Sequence, residues 1–397
     1  MNIIYLCPEM LLPANTGGRI GCYKRLEYLA KGNDIHLFCI TDNDADAQYL
    51  PELENMCKEV HLYNRSKHKL NALKNSFKYP YACASRTLPQ LRKDVEIIFY
   101  KENIDFVIVD FPQMLMNISP QIMKSGKVIL GQHNIEYVTM NNISKSMDNP
   151  IKKLIFCMES KRMEAFEEKI YEKNQVRLYT FVSSDDKAFF EKTFGKKNTL
   201  HVPVGCEVQP YGKANREYNI MYFGKMAYPA NAEAACDFAN NVFSEILKTL
   251  PEAKLYIVGK DPLPKVKQLG ERFRNNIVIT GTVDSVEPYY EKASVVVVPL
   301  RHGGGVKVKV LEALGHGKLI ITTQKGIEGT DFLADKHLVV ANDDADFANK
   351  CIGALTNPDS YENIRKGGYE YVKDNYTWQA IIEAFEQTLI KLKQETI

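Results

Sequence analysis

Short apolar runs alternate with longer amphipathic segments from one end of the chain to the other. This alternation predicts an α/β fold with parallel sheets, in which each strand is followed by a helix or a turn. Helical periodicity fits residues 19–31, 88–102 and 151–173. Strands are predicted at 2–7, 35–40, 60–63, 105–110, 127–132, 178–182 and 200–204, and in a second series at 220–223, 254–258, 277–280, 295–298, 319–322 and 338–340.

The segment between the two series, residues 205–218, is polar and contains Pro, Gly and Asn, which is typical of a linker. The chain of 397 residues is also long enough for two domains. We therefore predict two Rossmann-like domains joined near residues 205–218. In such sheets ligands bind beyond the carboxyl ends of the strands, so functional residues are expected at that edge.

The composition is that of a soluble globular protein, with 45% hydrophobic and 25% charged residues. Lys and Arg number 51 against 49 Asp and Glu, so the overall charge does not imply nucleic-acid binding. Nine cysteines without a CxxC pair indicate reduced thiols, and we expect a cytoplasmic protein. The N-terminus lacks the basic region of a signal peptide, and no apolar stretch reaches about 18 residues, so neither export nor a membrane span is expected.

The most informative stretch is 295–328, where a buried strand leads through three glycines into a short helix and then into another buried strand. The strand at 295–298 consists of four valines, which suits a strand covered on both faces. Gly303, Gly304 and Gly305 lack side chains, so their N–H groups can approach a ligand closely. Val306 is expected to open the helix, and a helix start attracts phosphate.

Three cations surround these glycines. Arg301 has a planar guanidinium that can grip two phosphate oxygens, and Lys307 and Lys309 add further positive charge. The stretch therefore predicts a diphosphate site at the carboxyl end of a parallel strand. The alternative is a glycine-rich turn beside a solvated basic helix.

Two further loops follow predicted strands. Gly17 and Gly18 precede a helix that is expected to start near Arg19, and they too could approach a ligand, although the pattern is not the GxGxxG of dinucleotide sites and a flexible turn is the alternative. His133, in the segment GQHNIEYV, could contact a substrate hydroxyl or a phosphate. A buried, hydrogen-bonded structural histidine is the alternative there.

Asp-x-Asp patterns could suggest a metal site. Each pattern precedes a helical segment, so helix N-caps and first-turn acids explain the carboxylates better, and the first pattern lacks the Gly and Glu of a calcium loop. No metal site is predicted at these acids, which are Asp42, Asp44, Asp46, Asp344 and Asp346.

Residues 64–101 form a basic segment. They contain nine Lys or Arg but only Asp94 and Glu96 as acids, and apolar and aromatic residues interleave with the lysines. Such a surface can lie on an anionic membrane, where each nearby Lys or Arg contributes about 1 kcal/mol. The alternative is a solvated basic face.

Together these segments resemble the GT-B glycosyltransferases, and within them the family 4 (group 1) retaining enzymes that act on sugar nucleotides. PANTGGRIGCYKRL is similar to the family's N-terminal Gly-Gly loop and helix, and GQHNIE is similar to its histidine motif. VSSDD and VPVGCEV are similar to segments that end the first domain, and YFGKMAYPANAEAA, IVGK and ITGTVDSVEPYY to parts of the second. The resemblance covers nearly the whole chain, and it rests on the order and spacing of these pieces.

The resemblance implies two Rossmann-like domains that face each other across a cleft. An N-terminal acceptor-side domain would cover residues 1–205, and a C-terminal nucleotide-sugar domain would cover residues 206–376. A helix at 378–395 would cross back and complete the N-terminal domain.

Carried over by position, the resemblance also implies roles for individual residues. Glu312 would hold the nucleotide ribose, Lys225 would contact the diphosphate, and His133 would lie near the transferred sugar. His133, Lys225 and Arg301 are thus the predicted catalytic residues. Gly17 and Gly18 would approach the donor phosphates. The nucleobase would be bordered by Gly281, Thr282 and Val283.

The sequence departs from the family at two positions. The first glutamate of its E-x7-E motif would fall at Gly304, and the second phosphate-binding lysine of an R-x4-K arrangement would fall near Ala230. The chain instead resembles a branch written R-x-G-G-G-x-K-x-K-x-L-E-A. There Arg301, Lys307 or Lys309 would supply the missing charge, as part of the donor-binding set.

The expected activity is metal-independent transfer of a sugar, with retention, from a UDP- or GDP-linked donor to a glycan or lipid-linked acceptor in bacterial surface polysaccharide synthesis. The nucleotide-sugar is a co-substrate, and no further cofactor is expected. The protein would be cytoplasmic and peripheral on the inner membrane. Two alternatives remain, namely a GT-B-like sugar-nucleotide epimerase that uses carboxylates and His133, and a non-catalytic GT-B subunit that binds nucleotide or glycan.

Overall fold

The computed structural model describes residues 1–14, 16–145, 147, 149–195, 198–303 and 306–395. The chain divides into two compact units. The first unit comprises Met1–Pro203 with Ile381–Ile397, and the second comprises Val204–Ala380. Between the two strand series, residues 205–218 form neither helix nor strand, apart from an isolated bridge between Cys206 and Thr377.

The first unit is built on a parallel sheet of seven strands in the order β3-β2-β1-β4-β5-β6-β7. Its strands are β1 (Asn2–Cys7), β2 (Asp34–Thr41), β3 (Glu59–Asn64), β4 (Phe106–Asp110), β5 (Val128–Gln132), β6 (Leu178–Phe181) and β7 (Thr199–His201). Its helices are α1 (Gly17–Ala30), α2 (Leu50–Glu54), α3 (Lys69–Ser76), α4 (Tyr81–Ala84), α5 (Pro89–Lys101), α6 (Pro120–Met123), α7 (Glu136–Lys145), α8 (Pro150–Lys173) and α9 (Ser184–Phe194).

The second unit holds a parallel sheet of six strands in the order β10-β9-β8-β11-β12-β13. The strands are β8 (Asn219–Phe223), β9 (Lys254–Val258), β10 (Ile277–Gly281), β11 (Val295–Val298), β12 (Leu319–Thr323) and β13 (Val339–Ala341). The helices are α10 (Pro229–Asp237), α11 (Ser244–Thr249), α12 (Pro264–Arg272), α13 (Glu287–Lys292), α14 (Val308–Gly315), α15 (Asp344–Thr356), α16 (Glu362–Asn375) and α17 (Trp378–Gln394), the last of which continues into the first unit.

Both sheets are covered on their two faces, which explains why their strands are apolar at successive positions rather than at alternate ones. In β1, Ile3 and Tyr5 belong to one core layer, while Ile4 and Leu6 belong to the layer on the opposite face. Helix α17 contributes to the first of these layers. Its stripe of Ile381, Ile382, Phe385 and Leu389 is buried there, so the chain's last helix completes the N-terminal unit.

The predicted α/β class with two parallel, Rossmann-like sheets is confirmed, and the predicted strands all form. The starts of two helices were predicted wrongly by two residues. Helix α1 begins at Gly17 rather than Arg19, because Thr16 is the N-cap and its hydroxyl accepts a hydrogen bond from the Arg19 N–H. Helix α14 begins at Val308 rather than Val306, because Lys307 has the non-helical angles φ −90° and ψ 84°.

The aspartates lie at helix starts as predicted, with the exception of Asp42, which precedes the N-cap Asn43 and pairs with Arg65. Asp343 is the N-cap of α15 and accepts a hydrogen bond from the Asp346 N–H at 2.8 Å, while Asp344 and Asp346 lie in the first turn. Asp44 and Asp46 lie in the first turn of a 3-10 helix. Across the described residues, the helices are too short or too polar to span a membrane.

Candidate functional site

Two glycine-containing loops meet at the carboxyl edge of the second sheet. β8 runs into Gly224 and β9 into Gly259, and the Gly224 N–H donates to the Val258 carbonyl at 3.0 Å. Both glycines have a positive φ, 153° and 150° respectively. A side chain at Gly259 would place its Cβ 1.8 Å from the Gly224 carbonyl oxygen, so the two loops can only approach this closely because Gly259 has none.

Lys309 of α14 reaches these loops. Its Nζ donates to Asn231 Oδ1 at 2.9 Å and lies 4.9 Å from the centre of the Tyr222 ring. It would also be 2.9 Å from a Cβ at Gly224. The Asn231 amide in turn donates to the Lys225 carbonyl at 3.1 Å, which fixes its orientation. An ammonium group is therefore held between the first turn of α10 and the end of β8.

Burial disfavours the charged forms of two lysines at this site, and an anionic ligand would favour those charged forms. Burial, with the neighbouring Lys307, lowers the pKa of Lys309 to about 7. Burial also lowers the pKa of Lys307, whose residue is only 8% exposed. Burial raises the pKa of Glu312, although His316 and Lys309 oppose that shift. A bound phosphate would favour the charged form of both lysines.

Arg301 contacts the start of α15. Its guanidinium forms an ion pair with Asp344 in the first turn of α15. The role of Arg301 at the diphosphate stays a prediction, since this ion pair is partly exposed and could be exchanged for a phosphate. Arg301 also lines a cavity of about 550 Å³ at the carboxyl ends of β11, β12 and β13. The cavity is lined further by His302, Thr323, Gln324, Lys325 and Asn342.

The structure locates most of the other predicted donor-site residues at the same edge. Gly303 has φ 101°, and a Cβ there would be 3.9 Å from the Ala230 Cβ, so the glycine loop passes beside the start of α10. Lys225 follows β8 and is exposed, and Gly281 ends β10 with φ 68°. Thr282 is exposed and Val283 half-buried in the turn that follows. Gly304 and Gly305 lie outside the described residues.

In the first unit, a buried ion pair lies beside His133. Asp110, the last residue of β4, accepts hydrogen bonds from Arg25 Nη1 at 2.7 Å and from the Tyr5 hydroxyl at 2.5 Å. A Cβ at Gly131 would be 2.2 Å from Asp110 Oδ1, so the pair requires a glycine on the neighbouring strand. Burial opposes the Asp110 charge, but Arg25 and His133 hold its pKa below the usual range.

His133 is part of this cluster. Its Nε2 lies 3.4 Å from Asp110 Oδ1, and its ring stacks on Phe111 with 4.2 Å between ring centres. Burial opposes protonation, but Cys22 and Asp110 outweigh it and raise the pKa of His133 to about 9. At neutral pH this imidazole is therefore a charged hydrogen-bond donor that is buried and partnered, as the structural interpretation expects.

Helix α1 contributes Cys22 to the His133 cluster, and Gly18 lies one helical turn before that residue. Gly17 and Gly18 form the first turn of α1, where a Cβ at Gly18 would meet no atom within 4 Å, so the space beside it is open. Ligand atoms of Cys22, Asp110 and His133 lie within 4.8 Å of one another, close enough to share a cation. However, Asp110 is already paired with Arg25, and the Arg25 guanidinium would repel a metal ion at this position.

Several residues of both clusters were missed from the sequence. A weak signal exists for Arg25, because Cys22, Leu26 and Leu29 place it on the buried stripe of α1. Asp110 also carries a signal, as a carboxylate that ends an otherwise apolar strand. Asn231 and Tyr222, which hold Lys309, carry none that we can identify.

The sequence and the fold are both similar to those of known proteins. Residues 217–357 match the sequence profile of the family described as Glycosyl transferases group 1. The chain is 25% identical over 391 residues to an uncharacterized 44.6 kDa protein in the cps region of Klebsiella pneumoniae, covering 94% of this chain and 96% of that protein.

Solved structures share the fold at low identity. A glycosyltransferase from Rickettsia africae superposes with a TM-score of 0.67 at 15% identity and covers 98% of each chain. Anabaena HepE, in complex with UDP and glucose, superposes with a TM-score of 0.63 at 10% identity and covers 98% of this chain and all 100% of the other.

The chain therefore has the GT-B fold of glycosyltransferases, built from two Rossmann-like units. Within it, residues 217–357 of the second unit are the part that matches the Glycosyl transferases group 1 profile.

Proposed function

We propose that the protein is a glycosyltransferase that moves a sugar from a UDP- or GDP-linked donor to a glycan or lipid-linked acceptor, with retention and without a metal, in bacterial surface polysaccharide synthesis. The group 1 domain and the relative from a cps region support this reaction and this setting. The donor site would lie at the carboxyl edge of the second sheet.

One observation carries the proposal. The half-buried amino group of Lys309 is held against Asn231, one residue beyond Ala230, beside the glycine loops that end β8 and β9. Ala230 is where related enzymes would be expected to place a phosphate-binding lysine. A lysine from α14 thus supplies positive charge at the same helix start, where N–H groups also favour phosphate.

The chemistry follows from this arrangement. The bond between the anomeric carbon and the diphosphate oxygen breaks as the acceptor oxygen bonds to the same face of the sugar, and the acceptor proton passes to the leaving diphosphate. Lys309, Lys225 and the N–H groups of the loops would stabilise the negative charge that develops on the diphosphate. Glu312 would hold the ribose, and Gly281, Thr282 and Val283 would border the base.

We also propose a role for the first unit. Gly17 and Gly18 would approach the donor phosphates, because the space beside Gly18 is open. His133 would act as a charged donor near the transferred sugar, since the pKa of its imidazole is raised to about 9. The protein would work at the cytoplasmic face of the inner membrane, with residues 64–101 against the lipid.

A donor panel tests the proposal. Purified protein is mixed with UDP-, GDP- and CMP-sugars, and its melting temperature is measured with and without each, because a ligand that binds the native state raises it by mass action. We expect a rise with one UDP- or GDP-sugar that persists in EDTA, and the loss of that rise in Lys309→Ala. Lys254→Ala removes an exposed lysine at the opposite end of the sheet, and this variant should still show the rise in melting temperature.

The competing functions give different results in turnover assays. A sugar-nucleotide epimerase would convert the donor without any acceptor, and the raised pKa of His133 argues against that, because a protonated imidazole is a poor base at neutral pH. A non-catalytic subunit would bind the donor without consuming it. Failure of every UDP- and GDP-sugar to bind would refute the proposed donor site.

A further inference from the structure

Helix α8 exposes an apolar face that the fold does not use. Ile151, Leu154, Ile155 and Met158 recur at helical spacing on one side and are exposed, Leu154 to 62% and Ile151 to 69%. The opposite side of the helix is the buried one, with Met163 and Tyr171 in the interior. Single exposed apolar residues are ordinary, but a stripe over two turns of one helix usually marks an interaction surface.

A second exposed apolar group lies on α3, in a segment whose end is hydrogen-bonded to α8. Leu70, Leu73 and Phe77 of α3 and its C-cap are exposed, Phe77 to 87%. The chain that follows α3 is fastened to α8, because Arg162 donates to the Tyr79 carbonyl at 2.6 Å and also to the Ser76 carbonyl. The Tyr81 N–H donates to Glu159 at 2.6 Å. We call these seven apolar residues of α3 and α8 the docking face.

The charged residues within the two segments that carry the docking face are all basic. Residues 65–78 and 150–158 contain seven Lys or Arg and no Asp or Glu. Arg65 and Lys67 pair with Asp42 and Asp44, which leaves five lysines on these segments, namely Lys69, Lys74, Lys78, Lys152 and Lys153. The nearby carboxylate of Glu159 is itself paired with Arg162.

We infer that the docking face binds the surface of an anionic lipid bilayer, with α8 as its principal apolar element. Apolar side chains that project between lysines can enter the boundary between headgroups and acyl chains while the ammonium groups contact lipid phosphates. A protein partner of ordinary composition would not require lysines without a carboxylate among them. The inference extends the membrane contact proposed for residues 64–101 to α8, and it does not depend on sugar transfer.

Vesicle co-sedimentation tests the inference. Full-length protein is mixed with vesicles of equal parts phosphatidylglycerol and phosphatidylcholine, and with vesicles of phosphatidylcholine alone. We expect binding to the anionic vesicles only, weakened by high salt. The double variant Leu154→Gln with Ile155→Gln should lower the partition coefficient roughly tenfold or more, and Lys152→Gln or Lys153→Gln roughly fivefold each.

Matched controls separate the docking face from general effects. Leu333→Gln removes an exposed leucine of the second unit and should leave vesicle binding unchanged. Equal binding to neutral vesicles, or unchanged binding by the α8 double variant, would overturn the inference. The inference would also be overturned if the α8 double variant changed the oligomeric state of the protein, measured by light scattering, while its vesicle binding stayed intact. The face would then bind a second copy of the chain. Nucleotide affinity of the same variants should not change, which keeps this test separate from that of the donor site.

Discussion

At the scale of single residues, we expect Lys309 to determine how the proposed donor site responds to pH. Burial lowers its pKa to about 7, so the free protein loses this charge as the pH rises through that value. A diphosphate binds the charged form, and we expect the affinity for UDP or GDP to fall by up to about tenfold per pH unit above 7. Calorimetric titrations between pH 6 and 9 measure this. Lys309→Gln should flatten the dependence and Lys254→Gln should keep it; a pH-independent wild-type affinity would contradict the assignment.

Asp110 is the residue on which the His133 cluster depends. Asp110→Asn would leave Arg25 buried without its counter-charge, and breaking a buried pair from one side costs about 3–5 kcal/mol. Chemical denaturation should show that loss in the free energy of unfolding. Glu245→Gln breaks an exposed pair with Lys248 and should cost less than about 1 kcal/mol. Equal small losses in both variants would mean that the Asp110 cluster is not a stabilising element.

At the scale of elements, the first turn of α1 separates a structural role from a binding role. Gly18→Ala meets no atom within 4 Å and gains helix propensity, so the free energy of unfolding should rise by up to about 1 kcal/mol. If the backbone at Gly18 approaches the donor, the added methyl group should still reduce donor turnover. Gly212→Ala, at another open position in the linker, is the control and should keep full turnover. Unchanged turnover in Gly18→Ala would remove this turn from the donor site.

The sequence was sufficient to predict the strands, but it was not sufficient to predict the residues at which two of the helices start. Runs such as Val295–Val298 predict buried strands because four adjacent β-branched residues suit a sheet covered on both faces. The starts of α1 and α14 depend instead on the backbone angles of Thr16 and Lys307. Periodicity does not report those angles, so both helices were displaced by two residues in the prediction.

At the scale of the whole molecule, long-range pairs limit what a sequence reveals about the site. The contact of Lys309 with Asn231 joins residues 78 positions apart, and that of Arg25 with Asp110 joins residues 85 apart. Neither pairing leaves a periodic pattern in the sequence from which it could be predicted. Gly303, Gly304 and Gly305 were predicted from their neighbours along the chain, and Glu312 was predicted from the family resemblance. The pairing of Arg301 with Asp344, which are 43 positions apart, could likewise only come from the fold.

We propose that this GT-B protein transfers a sugar from a nucleotide donor, and a transfer assay can test that claim. The protein is incubated with radiolabelled UDP- and GDP-sugars and a lipid-linked acceptor fraction, and label transferred to the acceptor is counted. We predict transfer from one donor, with the anomeric configuration retained, abolished in Lys309→Ala and kept in Lys254→Ala. A donor that binds but is never consumed, with every acceptor fraction supplied, would contradict the claim.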